Sequence, residues 1–157
     1  MSFLQKIFGN RNTETPQRSI ALLQDDIVRS LAGDLTDLHD GEWDDREWVQ
    51  LAVNHELLIA EGARSSSQAI VLARHPGKPL ESLSFRLSAA TKTKLVELQK
   101  TMDGAGRGVW TVADIVIDRD GAYEFNFGYD APRRIGGDLL HAPLNGYLER
   151  YLAQKPQ

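Results

Sequence analysis

GVWTVADIVIDRDGAYEFNFGYD, residues 108–130, is the most strongly patterned stretch of the chain. Two strand-like runs, VWTVADIVI and AYEFNFGYD, flank an Asp-x-Asp-Gly centre that reads as a metal loop, an active-site turn or a hairpin bend. An EF-hand needs oxygen ligands at alternate early positions, glycine sixth and glutamate twelfth. With Gly121 sixth, the first position is Val116 and the twelfth Phe127, and neither side chain coordinates calcium. Asp118 and Asp120 are therefore expected to stabilise a turn through local hydrogen bonds, with Gly121 supplying a positive φ. Tyr123, Phe125, Phe127 and Tyr129 fall on one face of the second strand, opposite Glu124, Asn126 and Gly128. Rings at that spacing read as a core stripe packed under helices, and a ligand-stacking platform is the alternative. With Trp110 they form the structural hairpin.

Working outward, APRRIGG after the hairpin reads as a loop. A final helix from about Asp138 would carry Leu140, Leu144, Tyr147, Leu148 and Tyr151, and Pro143 inside it implies a break or a later start. Before the hairpin, Ser88 is placed to cap a helix through Met102, with Leu95, Leu98 and Met102 inward and Lys92, Lys94 and Lys100 outward. DGAGRG ends that helix. ESLSFRLS alternates Leu83, Phe85 and Leu87 against Ser84 and Arg86, a third strand or a lead-in to the helix. Ala69–Ala73 reads as a buried strand between the serine run 65–67 and Pro76-Gly77. From Trp48, alternation sets Val49, Leu51 and Val53 against Trp48, Gln50 and Ala52, although LAVNHELLIA also fits a helix.

At the start, Ile20, Leu23, Ile27 and Leu31 recur at helical spacing after a linker at 9–17, with Pro16 suited to a first turn. The expected organisation is an N-terminal segment and linker, 1–16, and one domain, 17–155. That domain is read as α+β, with a mostly antiparallel sheet of about four to five strands packed by N-terminal, middle and C-terminal helices.

Composition bounds the function. With 157 residues, 41% hydrophobic and 25% charged, the chain fits one globular domain with a single core. The absence of cysteine excludes disulfides, thiolate metal sites and a cysteine nucleophile, and makes a reducing cytoplasm the expected setting. MSFLQKIFGNR lacks a signal-peptide core, no window approaches the roughly 20 apolar residues of a membrane span, and the patch of Phe3, Leu4, Ile7 and Phe8 is expected to dock or fray. A formal charge of −4 and a pI near 5.5 argue against phosphate backbones as ligands. The charge is concentrated: between Asp34 and Glu47, seven carboxylates (Asp34, Asp37, Asp40, Glu42, Asp44, Asp45, Glu47) stand against the single Arg46. That run is a solvated loop or a surface for a basic partner, anchored by Trp43 or Trp48.

Catalytic motifs fail. His39, His55, His75 and His141 lie far apart, without the spacing of a helical zinc pair. His55 and Glu56 would point to opposite sides of a strand. There is no Gly-x-Ser-x-Gly and no phosphate loop. Ser65, Ser66 and Ser67 read as loop solvation, with anion binding or phosphorylation as alternatives. No catalytic residue, cofactor or metal is assigned.

Val109-Trp110-Thr111, the strand ending in IDRDG at 117–121, and YEFNFGYD at 123–130 resemble the YezG-like antitoxin and immunity protein family, whose members protect bacteria against toxins delivered by neighbours or kin. The order of the earlier segments is also similar, while Arg133 and Arg134 stand where a more acidic extension is expected. The resemblance implies no catalysis, a cytoplasmic location and one-to-one inhibition of a cognate toxin domain, commonly a nuclease. A carboxylate-rich surface is compatible, since such toxins present basic clefts. The toxin-binding candidates are the seven carboxylates with Trp43 and Trp48, and a monomer is the expected state. The alternatives are a small-molecule-binding regulatory domain, with the aromatic face as pocket wall, or an enzyme with a dispersed site around His55 or His75.

Overall fold

The structure is a computed structural model that describes the backbone of residues 2–60 and 62–154, and the side chains of 16–60 and 62–154. The elements are α1 (Ser2–Asp34), β1 (Glu47–Leu58), β2 (Arg64–Arg74), β3 (Glu81–Ser84), α2 (Ala89–Gly104), β4 (Val112–Asp118), β5 (Tyr123–Gly128) and α3 (Tyr147–Gln154). The strands form one antiparallel sheet in the order β3-β2-β1-β4-β5, giving the single α+β domain that the patterning predicts. Among the described residues no helix is long and apolar enough to cross a membrane. The apolar patch at Phe3, Leu4, Ile7 and Phe8 lies outside the described side chains.

β1 is the centre. Leu51, Val53, His55 and Leu57 face α1 and α2, while Gln50, Ala52, Asn54 and Glu56 face the opposite side, so the strand is buried on both faces. On the first face these residues join Ile20, Ile27, Leu31 and Leu35 of α1 and its extension, Leu95, Leu98 and Met102 of α2, and Trp110. Each such side chain contributes roughly 1.5–3 kcal/mol by leaving water. On the second face a smaller cluster of Ala52, Ile70 and Leu72 is covered by Leu144, Tyr147, Leu148 and Tyr151.

Several elements depart from the sequence reading. The segment 9–17, expected as a linker, lies within α1, with Pro16 inside the helix. Ser65–Ser67, expected in a loop, are strand residues of β2 paired with Leu57, His55 and neighbours, because the ladder to β1 outweighs the weak strand preference of serine. The register shifts between Trp48 and Gln50, a bulge that sends Trp48 to the helix-side core and Val49 to the other face, against simple alternation. α3 starts at Tyr147 rather than near Asp138, the later start that Pro143 implies, which leaves Leu140 92% exposed instead of in the helix core. Ser88 does cap α2: its hydroxyl accepts from Thr91 N–H at 3.2 Å.

The hairpin turns as expected, with Gly121 at φ 99° and Asp120 Oδ1 accepting from Ala122 N–H at 2.9 Å. The Asp118 carboxylate instead accepts from Gln50 Nε2 across the strands at 2.6 Å. The aromatic stripe is only half core. Phe125 and Phe127 pack on the helix-side cluster, but Tyr123 and Tyr129 are 37% and 52% exposed, because β5 is an edge strand.

Candidate functional site

The chain between α1 and β1 carries the acidic run, and two arginines hold it in place. Leu35 and Leu38 continue past the end of α1 into the core, and Leu38 bridges Phe85. Arg86 donates to the Asp37 carboxylate at 3.2 and 3.4 Å and to Leu38 C=O at 2.9 Å. Further on, Arg46 donates to Glu42 C=O at 2.5 Å and Trp43 C=O at 3.3 Å, and pairs with Glu81 at 3.1 Å. Gly41 at φ 79° and Asp44 at φ 57° supply the left-handed turns between these anchors.

This bracing divides the seven carboxylates. Asp34 is drawn into the fold, where Oδ2 accepts from Ser88 N–H at 3.0 Å, Ser88 Oγ at 3.2 Å and Thr91 Oγ1 at 2.5 Å, tying α1 to the start of α2. Asp37 is held by Arg86, and Asp45 by His75 at 2.6 Å. The hydrogen bond to His75 holds the Asp45 carboxyl below its ordinary range. Asp40, Glu42, Asp44 and Glu47 remain exposed, and among the described residues none of them forms an ion pair. Trp43 and Trp48 pack in part on the helix-side core, and Arg119 stacks 6.0 Å from the Trp48 ring. The tryptophans thus border the acidic loop with one part buried and another accessible.

The histidines acquire partners that patterning does not identify. His55 is fully buried, Nδ1 lies 2.6 Å from Ser67 Oγ, and Nε2 has no partner among the described residues. Burial, helped by the charges of Lys92 and Arg134, pushes its pKa down to about 4. Glu56 lies on the opposite face, as alternation requires. Among the described residues, then, His55 meets a hydroxyl without a carboxylate and His75 a carboxylate without a hydroxyl, and neither completes a nucleophile–base–orienter chain there.

A polar network on the second face is invisible in the sequence. Arg134, 8% exposed, donates to Ser66 Oγ at 2.8 Å, Asn54 Oδ1 at 2.8 Å, Asn54 C=O at 3.0 Å and His141 C=O at 3.1 Å. Glu56, 1% exposed, accepts from the Arg134 and Ile135 amides at 3.2 and 3.0 Å and lies 3.6 Å from the guanidinium. Asn54 in turn donates to Asp114 at 2.7 Å. Apart from His141, the partners of Arg134 lie 68 to 80 residues away, and Asn54 and Asp114 are 60 apart, so no local pattern signals them.

Away from this network, an open groove of about 660 Å³ runs between the hairpin turn and α3, lined by Gln50, Asp118, Arg119, Tyr147 and Arg150 among others. The Tyr147 hydroxyl donates to Gln50 Oε1, and burial raises its pKa. On the other face of the sheet, Tyr123 donates to Asp25 at 2.6 Å, which raises the phenol above its ordinary range, and Tyr129 donates to Arg107 C=O at 2.9 Å. The outer tyrosines are thus held by hydrogen bonds rather than by burial, and the stripe forms no enclosed stacking pocket.

Against known proteins, the chain matches no family model, and no curated protein shows significant similarity to it.

Proposed function

We propose that the chain is a bacterial immunity protein, acting in the cytoplasm, that neutralises a cognate toxin by binding it rather than by chemistry. One observation carries the reading: a loop braced by Arg46 and Arg86, together with the first residue of β1, presents Asp40, Glu42, Asp44 and Glu47 to solvent with no ion pair among the described residues. A pre-ordered loop loses little conformational entropy on docking, and a concentrated negative field steers association with a basic surface. A nuclease cleft that holds a phosphate backbone is such a surface. The resemblance of the hairpin at 108–130 to the YezG-like family supports the same reading.

Co-purification of the tagged chain with the toxin encoded beside its gene tests the proposal. A stoichiometric complex and survival of toxin-expressing cells are expected. No complex and no protection would remove the idea. A second reading, a small-molecule-binding regulatory domain, draws on the groove between the hairpin turn and α3. Thermal stabilisation by a metabolite in a chain that binds no toxin would favour it.

A further inference from the structure

A five-stranded antiparallel sheet has two edges, and this chain treats them differently. β3, at one edge, is four residues long, and the segment after α1 covers its end: Leu38 bridges Phe85, and His39 N–H donates to Ser84 C=O at 2.9 Å. β5, at the other edge, has no such cover among the described residues. Its register against β4 runs unbroken from Tyr123 to Gly128, so no bulge turns the edge away. It holds no lysine and no proline, the residues that commonly blunt an exposed edge.

Backbone direction alternates along an antiparallel ladder. Asp118 N–H donates to Ala122 C=O at 2.8 Å, which sets the even-numbered residues toward β4. The N–H and C=O of Tyr123, Phe125 and Phe127 therefore point outward.

We propose that β5 pairs antiparallel with β5 of a second copy about a two-fold axis through Phe125, joining two sheets into one. Keeping the helices of both copies on the same face requires odd residues to meet odd residues. Centring on Glu124 would set two carboxylates against each other. Centring on Phe125 places Tyr123 beside the partner's Phe127 and Glu124 beside the partner's Asn126, twice over by symmetry. Asn126 Nδ2 already donates to Glu124 Oε1 at 3.1 Å within the strand, so the same donor and acceptor serve across the axis. The strand is thus complementary to itself in hydrogen bonding, amide donor against carboxylate acceptor, and its half-exposed rings gain aromatic neighbours. The acidic loop is anchored to Glu81 of β3, at the far edge, and stays free in both copies.

Sedimentation equilibrium of the full chain tests this. The wild type is expected at twice the 17.5 kDa chain mass. Asn126→Glu sets carboxylate against carboxylate at two places and is expected to weaken association roughly tenfold or more. Adding Glu124→Lys restores opposite charges in this register alone and should recover the dimer. Asn126 is exposed, so circular dichroism should read the same for all three proteins. A wild type that stays monomeric through the micromolar range overturns the proposal, as does a dimer indifferent to Asn126→Glu or a double variant that stays apart.

Discussion

His55 places a titratable ring in the helix-side core. Its ring shares the helix-facing side of β1 with Leu51, Val53 and Leu57, and among the described residues it is bonded only to Ser67, at Nδ1. Desolvation lowers its pKa from 6.5 to about 4, so the folded state keeps the neutral imidazole while the unfolded chain takes a proton first. Between those values the unfolded state binds more protons, and stability therefore rises with pH. The contribution is fully present above 6.5 and is lost as pH falls toward 4, where the folded ring also titrates. A gap of that size corresponds to about 3 kcal/mol across the window. Urea unfolding followed from about pH 7 to about pH 4 should show this slope in the wild type and a much flatter one in His55→Gln, whose side chain does not titrate. Equal slopes would place the titrating group elsewhere. The residue's partner was not legible in the sequence, because Ser67 is brought opposite it only by the β1–β2 ladder.

Elements whose signals are local were legible, and those fixed by distant partners were not. The β4–β5 hairpin follows from alternation and one glycine that must take positive φ, and α2 follows from its Ser88 cap and inward leucines. For α3 the later start that Pro143 implies is the one observed, at Tyr147, and Leu140, which the spacing alone would put in the helix, precedes it and lies in solvent. What holds that connection is Arg134, which pins residues 131–146 to β1 and β2 through Asn54, Glu56 and Ser66, with Gln68 adding a bond to Leu144 N–H at 2.9 Å. Arg134→Met leaves the Glu56 carboxylate buried without its countercharge and is expected to cost about 3–5 kcal/mol. Adding Glu56→Gln removes the stranded charge, so the double variant should lose clearly less than the sum of the two single changes. Chemical denaturation of all four proteins reads this coupling. Additive losses would mean that Arg134 acts through its neutral acceptors alone.

At the scale of the whole molecule, the charge has a place as well as a sign. The chain has 22 carboxylates against 18 lysines and arginines, a net formal charge of −4 that equals the number of unpaired carboxylates on the braced loop. Without Asp40, Glu42, Asp44 and Glu47 the remaining carboxylates equal the lysines and arginines in number. The acidic run was plain in the sequence, but its division was not: Asp34, Asp37 and Asp45 are taken up by Ser88 and Thr91, Arg86 and His75, which lie 30 to 57 residues away. Reversing the four free residues to lysine takes the formal charge from −4 to +4 while removing no ion pair among the described residues, so the fold should lose no more than about 2 kcal/mol, chiefly at Asp44, whose positive φ suits lysine less well, and at Glu47, which faces Arg74 across the strands. Binding should respond quite differently. If a basic toxin cleft is the partner, the association rate should fall at least roughly tenfold at low salt, and its decline with added salt should vanish or reverse, because attraction has become repulsion. Stopped-flow measurement over a salt series separates this steering from contact energy, which appears in the dissociation rate. An unchanged association rate with an unchanged salt slope would place the docking surface away from the loop.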